Sequence, residues 1–299
     1  MSSLLVLRLS ALGDVAMTLP VIYSVARRYP SLRLTVVTRP FFRRLFIDAP
    51  SNISFIDFEA RTVRELMAFI RSLKGREFTG VADLHDVIRT RVIRMALRLG
   101  NIPVVTVDKD RRARKRLTDK KERTYQKNYV DRYADVFARL GYPVTVDFKG
   151  LFPDEEPRSG VGIAPFARYS TKTYPPKLME EVAAGLTARG VPVSLFGARG
   201  KEAEELQGWV ERNPKLTLLA GKLTLEEELR AMSRLKVMVT MDSANMHLAS
   251  LVRTPVVSVW GSTIPQCGFL GYGQSADNAV WLDLECQPCS VAGLPECPI

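Results

Sequence analysis

The chain has 299 residues, 46% of them hydrophobic and 25% charged, and carries a net charge of +11. This ordinary globular composition excludes a disordered chain, a collagen and a coiled coil, and the length predicts two domains. No apolar run approaches the roughly 18–20 residues that span a bilayer. The first run, Leu4–Leu9, contains Arg8 and has no signal-peptide cleavage site behind it. We therefore expect a soluble, cytoplasmic protein.

The positive charge is concentrated in the first half of the chain. Residues 1–155 carry 29 Lys and Arg against 17 Asp and Glu, whereas residues 156–299 carry 14 against 15. A field of one sign on one domain attracts anions such as a phosphorylated substrate, an acidic membrane surface or nucleic acid. The alternative interpretation is that the basic side chains serve only solubility.

In the first half, short apolar runs alternate with helical patterns. The predicted strands are Leu4–Leu9, Leu32–Thr38, Ile53–Phe58, Gly80–Leu84 and Val104–Val107. The predicted helices are Val15–Arg28, Val63–Leu73, Ile88–Leu99 and Tyr129–Leu140. Residues 109–123 carry nine Lys and Arg, three acids and almost no apolar side chains, which predicts a mobile or anion-binding loop.

The pattern restarts after a predicted linker, Gly150–Ser159, which is rich in Pro, Gly and acids. The predicted strands are Val161–Pro165, Val193–Phe196, Leu216–Leu219, Val237–Thr240 and Val256–Trp260. The predicted helices are Pro175–Arg189, Lys201–Val210, Leu225–Met232 and Ser243–Leu251. Strands that alternate with helices of this length form parallel sheets with helical crossovers. We predict an α/β protein with two doubly wound parallel-sheet domains, 1–155 and 156–299, that face a cleft where ligands bind at the carboxyl ends of the strands.

The sequence lacks two common nucleotide-binding loops and has one cysteine motif. The chain has no G-x-x-x-x-G-K-[ST] loop and no G-x-G-x-x-G after a strand, which argues against a phosphate-loop ATPase and a standard dinucleotide dehydrogenase. The cysteines are Cys267, Cys286, Cys289 and Cys297, and Cys286-Gln-Pro-Cys289 has the spacing of a redox motif or half a zinc site. Only Cys297 is near enough to add a ligand, so we favour structural thiols and predict no metal.

The stretch that joins the first strand to the first helix carries a chemical signal. Gly13 permits a tight turn or the close approach of a ligand. Asp14 follows at the start of the helix, where a carboxylate either caps the helix or takes a proton from a substrate hydroxyl. The residue type alone favours capping.

Three blocks, spread in order over nearly the whole chain, match one family pattern. They are Ser10-Ala-Leu-Gly-Asp14 with Thr18-Leu-Pro20, Lys172-Thr-Tyr-Pro175, and Met241-Asp-Ser-Ala-Asn-Met-His247 with Trp260-Gly-Ser-Thr263. Together they resemble the lipopolysaccharide heptosyltransferases, glycosyltransferase family 9. The chain has Ala244 where the family has Gly, Ser262 where it has Pro, and Ala167-Arg168 where it has a threonine pair.

The resemblance implies a GT-B fold with two Rossmann-like domains and no cofactor or metal at the reacting centre. The first domain would bind the acceptor and the second a nucleotide-sugar. The implied activity is an inverting transfer of a sugar, heptose from ADP-heptose, to the inner core of lipopolysaccharide. Asp14 and Lys172 are the implied catalytic residues: Asp14 deprotonates the acceptor hydroxyl, and Lys172 neutralises the leaving diphosphate.

The implied donor-binding residues are Gly13, Glu202, Asp242, Ser243, Ala244 and His247. Ser243 begins a helix whose free N–H groups and dipole favour a pyrophosphate. Asp242 would be repelled by that group and suits hydrogen bonds from backbone N–H groups or sugar hydroxyls. Glu202 is the candidate for the ribose hydroxyls, or a favourable charge in the first turn of its helix. For His247 the alternative is a packing histidine.

The candidate acceptor-binding residues are His85, Arg89, Arg91, Arg112 and Arg114, together with Arg94. His85 follows a predicted strand, where it can contact hydroxyls of the acceptor or of the donor. His85 is equally well explained as a buried, hydrogen-bonded histidine, and solvated charge is the alternative for most of the arginines. The expected partners are a nucleotide-sugar, an anionic glycolipid and the anionic inner face of the inner membrane. No nucleic acid is expected.

Two other functions remain open at this point. A sugar-nucleotide epimerase of GT-B type would use the donor site without an acceptor, and altered sugar from donor alone would identify it. A nucleic-acid-binding protein would explain the basic charge. However, residues 109–123 have no interleaved aromatics and the chain has no known recognition motif.

Overall fold

The computed structural model describes residues 2–153 and 158–297, which form two compact units. The first unit contains Met1–Lys109 and Tyr129–Phe148, and the second contains Asp110–Asn128 and Lys149–Ile299. The predicted boundary between residues 155 and 156, and part of the predicted linker, lie outside the described residues. The units also differ from the predicted domains in the segment 110–128, which folds with the second unit.

The first unit is built on a five-stranded parallel sheet. Its strands are β1 (Ser3–Leu7), β2 (Arg33–Thr38), β3 (Ile53–Asp57), β4 (Gly80–Asp83) and β5 (Val104–Thr106), in the order β3-β2-β1-β4-β5. All five residues of β1 are buried, because a central parallel strand is covered by helices on both faces. The strand order reverses between β1 and β4, which makes the carboxyl ends of these strands the natural ligand site of the sheet.

Helices cover this sheet. They are α1 (Leu12–Ala16), α2 (Leu19–Arg28), α3 (Pro40–Arg43), α4 (Val63–Lys74) and α5 (Ile88–Arg98), with α7 (Tyr129–Arg139) returning to the unit later in the chain. The prediction of one helix over Val15–Arg28 is wrong, because α1 ends before Thr18 and α2 begins at Leu19. Pro20 has no N–H and fits only the first turn of a helix, so the helix restarts there.

The basic segment predicted as a loop contains a helix, α6 (Arg111–Thr118). The Asp110 side chain caps it by accepting a hydrogen bond of 3.0 Å from the Ala113 N–H. Ala113 and Leu117 lie one turn apart and are both buried, and Leu117 packs with Ile264 and Cys267 of the second unit. The loop prediction is therefore wrong, because two apolar side chains at i and i+4 are enough to anchor an otherwise charged helix.

The second unit is built on a six-stranded parallel sheet. Its strands are β6 (Val161–Ala164), β7 (Val193–Leu195), β8 (Leu216–Leu218), β9 (Val237–Met241), β10 (Val256–Val259) and β11 (Ala279–Val280), in the order β11-β10-β9-β6-β7-β8. Its other helices are α8 (Pro176–Ala188), α9 (Lys201–Arg212), α10 (Leu225–Ser233) and α11 (Ala244–Leu251). The order reverses between β9 and β6, so this sheet also has a switch point.

The described residues contain no helix long and apolar enough to cross a membrane.

Candidate active site

In the first unit, a buried arginine holds the Asp14 carboxylate at the switch point of the sheet. Arg8 directly follows β1, and Asp14 is the third residue of α1. Arg8 Nη2 lies 2.8 Å from Asp14 Oδ2, and the same oxygen accepts a hydrogen bond of 3.2 Å from the Ala11 N–H. The Asp14 side chain is 32% exposed, so it combines the predicted capping role with access to solvent.

Arg8 itself is fixed by distant parts of the chain. Its Nη1 donates to the Leu84 carbonyl oxygen at 2.6 Å and to the Tyr133 hydroxyl at 2.9 Å. Both Arg8 and Tyr133 are buried, and burial raises the pKa of the Tyr133 hydroxyl above its usual value. Arg8 was not among the site residues predicted from the sequence, although a charged residue at the end of a buried apolar strand is itself a signal of function.

His85 lies beside this pair, two residues after β4. The Leu9 N–H donates to its Nδ1 at 3.4 Å, and its own backbone N–H donates to Asp83 Oδ1 at 3.0 Å. Burial first, and then the positive charge of Arg8, lower the pKa of His85 to about 3. The imidazole is therefore neutral at physiological pH, and with Nδ1 as the acceptor its proton lies on Nε2.

Two of the predicted acceptor arginines hold the loop after β4. Arg91 binds Asp86 through Nε at 3.1 Å, and Arg94 Nη1 lies 2.9 Å from Asp83 Oδ2 and 3.1 Å from Asp86 Oδ1. Arg89 makes no ion pair within the described part of the chain. The structure thus brings His85, Arg91 and Arg94 together around Asp83 and Asp86, whereas none of the described acidic residues pairs with Arg89.

The other two predicted acceptor residues, Arg112 and Arg114, lie on α6 in the second unit. Arg112 is exposed and Arg114 is half-buried. The structure therefore does not place them in the same unit as His85, contrary to their assignment to one domain.

In the second unit, a buried ion pair joins two predicted site residues. Lys172 ends a short 3-10 helix, Ser170–Lys172, and Asp242 directly follows β9. Lys172 Nζ lies 2.7 Å from Asp242 Oδ2, which also accepts a hydrogen bond of 2.7 Å from the Thr263 hydroxyl. The predicted donors to Asp242 were backbone N–H groups or sugar hydroxyls, whereas in the described structure they are an ammonium and a side-chain hydroxyl.

Residues 286–297 hold the Lys172 turn in place. The Ser262 N–H donates to the Thr171 carbonyl oxygen at 2.8 Å, and the Cys289 N–H donates to the Ser262 carbonyl oxygen at 2.9 Å. The Ser170 hydroxyl donates to the Pro295 carbonyl oxygen at 2.9 Å. The four cysteines are free thiols, and the loop that carries three of them positions Lys172 through its backbone.

The predicted helix N-terminus is present. Ser243 precedes α11 with extended backbone angles, and Ala244 is the first residue of the helix. The Ser243 hydroxyl lies 3.3 Å from that of Thr240 and does not cap the helix. His247 is buried in the second turn, and Gly13 is buried in α1 of the other unit.

Glu202 closes the loop before α9, because its Oε2 accepts a hydrogen bond of 2.7 Å from the Ala198 N–H. A second carboxyl group, Glu228 of α10, lies close enough to interact electrostatically with it. Burial first, and then the charge of Glu202, raise the pKa of Glu228 to about 7. Glu228 was not predicted as a site residue, because in the sequence it resembles an ordinary first-turn acid in a run of three glutamates.

One cavity lies away from these residues. It has a volume of about 590 Å³ and is lined by Ser2, Thr79 and Pro103, which precede β1, β4 and β5. It therefore lies at the amino ends of the strands, on the edge of the sheet opposite to Asp14, where ligands of such folds do not usually bind.

Comparison with known proteins identifies the family. The sequence model of glycosyltransferase family 9 (heptosyltransferase) matches residues 66–298. The chain belongs to glycosyltransferase family 9. This glycosyltransferase is 26% identical to lipopolysaccharide heptosyltransferase 1 of Pseudomonas aeruginosa over 95% of this chain and 85% of that protein. It is 25% identical to lipopolysaccharide heptosyltransferase 3 of Escherichia coli over 84% of this chain and 81% of that protein.

Solved structures confirm the fold of the glycosyltransferase. The E. coli heptosyltransferase WaaC with ADP-2-deoxy-2-fluoro heptose matches with a TM-score of 0.71 and 20% identity, over 97% of this chain and 95% of that one. The E. coli ADP-heptose lps heptosyltransferase II matches with a TM-score of 0.68 and 20% identity, over 97% of this chain and 94% of that one. The predicted α/β architecture of GT-B type is thereby confirmed.

Proposed function

We propose that this glycosyltransferase transfers heptose from ADP-heptose to the inner core of lipopolysaccharide, with inversion at the anomeric carbon. The names of its relatives supply the sugar and the acceptor. The observation that carries the mechanism is the Asp14 carboxylate, which Arg8 holds at the carboxyl end of β1 while a third of its surface stays accessible.

In the proposed reaction, Asp14 takes the proton of an acceptor hydroxyl as that oxygen attacks the anomeric carbon. The new C–O bond forms while the bond to the diphosphate breaks, and ADP leaves with the bonding electron pair. A general base of this kind contributes about 10²–10⁴-fold to the rate. His85, neutral and protonated on Nε2, donates a hydrogen bond to a sugar hydroxyl, and Arg89 and Arg91 attract acceptor phosphates.

The second unit is proposed to bind the donor. Lys172 uses one N–H on Asp242 and has two more for the leaving diphosphate. The N–H groups at the start of α11, near Ser243 and Ala244, face the phosphates, as helix N-termini do in many nucleotide sites. Glu202 is proposed to accept hydrogen bonds from the ribose, with His247 lining the same end of α11. Arg112 and Arg114 are proposed to attract acceptor phosphates from their place on α6.

The test is the Asp14→Asn variant, assayed for ADP release with ADP-heptose and lipopolysaccharide that lacks heptose. We expect kcat to fall about 10²–10⁴-fold, while calorimetry gives an unchanged Kd for ADP. The matched control is Asp57→Asn, since Asp57 is an exposed carboxylate of the same unit that also pairs with an arginine. Turnover of Asp14→Asn equal to that of Asp57→Asn would remove Asp14 from the mechanism.

A further inference from the structure

Helix α5 and the residue that follows it present a line of large apolar side chains to solvent. Ile88, Met95 and Leu99 are 79%, 65% and 90% exposed. Their spacing of seven and four residues places them on one side of the helix, over about 16 Å. The opposite side carries Ile93 and Leu97, which are buried in the core of the unit. Single exposed apolar residues are common on protein surfaces, but three in line and facing away from the core mark an interaction surface.

The surroundings of this apolar stripe (Ile88, Met95 and Leu99) are strongly basic. Helix α5 has four arginines and no acidic residue. Arg98, next to Leu99, makes no ion pair within residues 2–153 and 158–297. The neighbouring helix α4 adds three further cations for which the described structure shows no acidic partner: Arg64, Arg71 and Lys74. An apolar stripe flanked by cations is complementary to a lipid surface, which has apolar acyl chains beneath anionic headgroups.

We propose that α5 docks on an anionic lipid surface, with the apolar stripe inserted at the boundary of headgroups and acyl chains and Arg98 beside the lipid phosphates. Three side chains cannot supply the roughly 800 Å² per partner of a stable protein interface. They suffice for shallow insertion assisted by charge. The proposal rests on the proposed function, because α5 begins three residues after His85 and would bring a lipid-held acceptor to the unit that carries Asp14.

The experiment is co-sedimentation of the full chain with phosphatidylcholine vesicles, with and without phosphatidylglycerol. We expect partition onto the vesicles that contain phosphatidylglycerol, weakened by salt. The Ile88→Gln/Leu99→Gln double variant should lower the partition coefficient at least about tenfold. Arg98→Gln should lower it about fivefold, as expected for about 1 kcal/mol per cation near such a surface. The control is Leu282→Gln, because Leu282 is 71% exposed but lies in the second unit, and it should bind like the wild type.

Equal partition of the wild type and the Ile88→Gln/Leu99→Gln variant would overturn the proposal. So would a wild-type dimer that this variant disperses in sedimentation velocity, since the apolar stripe would then be a contact between copies of the chain. All these side chains are exposed, so the variants should have the same melting temperature as the wild type. A lower melting temperature in a variant would show that its reduced binding comes from a loss of folding.

Activity separates this proposal from the proposed function. The Ile88→Gln/Leu99→Gln variant should keep wild-type turnover on a water-soluble inner-core oligosaccharide and lose it on acceptor embedded in vesicles. Equal loss on both acceptors would contradict docking. A wild type that binds vesicles but turns over neither acceptor would overturn the proposed function and leave the docking surface standing.

Discussion

Removing the guanidinium of Arg8 tests whether this buried side chain fixes the position of the Asp14 carboxylate, as the structure indicates. In Arg8→Met, the side chain keeps most of its apolar volume but loses three polar contacts: to the Leu84 carbonyl, the Tyr133 hydroxyl and Asp14. In the proposed mechanism, Arg8 is a positioning residue, because it acts on the substrate only through the Asp14 carboxylate that it orients.

The size of the effect follows from the burial of the partners. The Leu84 carbonyl and the Tyr133 hydroxyl are buried, and each costs about 1–3 kcal/mol when it loses its partner. Asp14 is partly exposed, so its lost ion pair adds less than about 1 kcal/mol. The variant no longer desolvates a charge, which offsets part of this loss. We expect a net loss of about 2–3 kcal/mol, or a fall in Tm of about 10 °C for a unit of this size.

The assay combines thermal unfolding with steady-state kinetics. We expect Arg8→Met to lower kcat about 10²-fold with little change in the KM for the donor, because Asp14 is no longer fixed. Arg8→Lys, which keeps the charge but cannot reach three partners, should recover part of kcat. Tyr133→Phe should cost only about 1 kcal/mol and leave kcat nearly intact. An Arg8→Met variant with wild-type Tm and wild-type kcat would refute the reasoning.

Three further predictions concern other ionisable side chains of the two units. Lys172→Met should abolish the rise in Tm that ADP causes and should destabilise the protein by about 3 kcal/mol, because it leaves the buried Asp242 carboxylate without its cation. A second change, Asp242→Asn, should restore part of that stability. If ADP raises the Tm of Lys172→Met as much as that of the wild type, Lys172 is not part of the donor site. In urea titrations, the wild type should lose about 1.4 kcal/mol of unfolding free energy per pH unit as the pH falls from 6.5 towards 3, because only the unfolded chain binds a proton on His85 in that range. His85→Gln should remove this loss. An equal dependence of the unfolding free energy on pH in both proteins would contradict this. Glu228→Gln should be more stable than the wild type by about 3 kcal/mol at pH 8 but not at pH 4.5, because the folded wild type holds a proton up to pH about 7 whereas the unfolded chain loses it near its ordinary pKa. A difference that does not depend on pH would argue against this prediction.

The alternation of strands and helices was readable from the sequence because parallel strands are buried on both faces and form continuous apolar runs. All ten predicted strands are present, from β1 to β10. β11 was missed, because a two-residue strand such as Ala279–Val280 leaves no pattern. Helix α6 was missed for a different reason. Residues 109–123 contain nine cations, and the two apolar residues that anchor the helix, Ala113 and Leu117, are too few to give a clear helical pattern.

Only those parts of the candidate site that depend on neighbouring residues could be predicted from the sequence. The position of Asp14 after β1 follows from neighbouring residues, but its support does not. Tyr133 is 125 residues from Arg8, and no spacing rule connects the end of a strand with a helix that far along the chain. Thr263 is likewise 21 residues from Asp242. Such contacts arise from how β1, β4 and α7, or β9 and β10, are placed in the folded unit.

The two units place a cation–carboxylate pair at the same point of their sheets, yet with opposite exposure. In the first unit the cation, Arg8, is buried and the carboxylate, Asp14, is the accessible member. In the second unit Asp242 is more deeply buried than Lys172, whose ammonium has two N–H groups beyond the one on Asp242. An accessible carboxylate suits the removal of a proton, and a cation with spare donors suits a phosphate. We therefore propose that the same arrangement at two switch points provides a base in one unit and an anion site in the other, which are the two groups that sugar transfer from a nucleoside diphosphate requires.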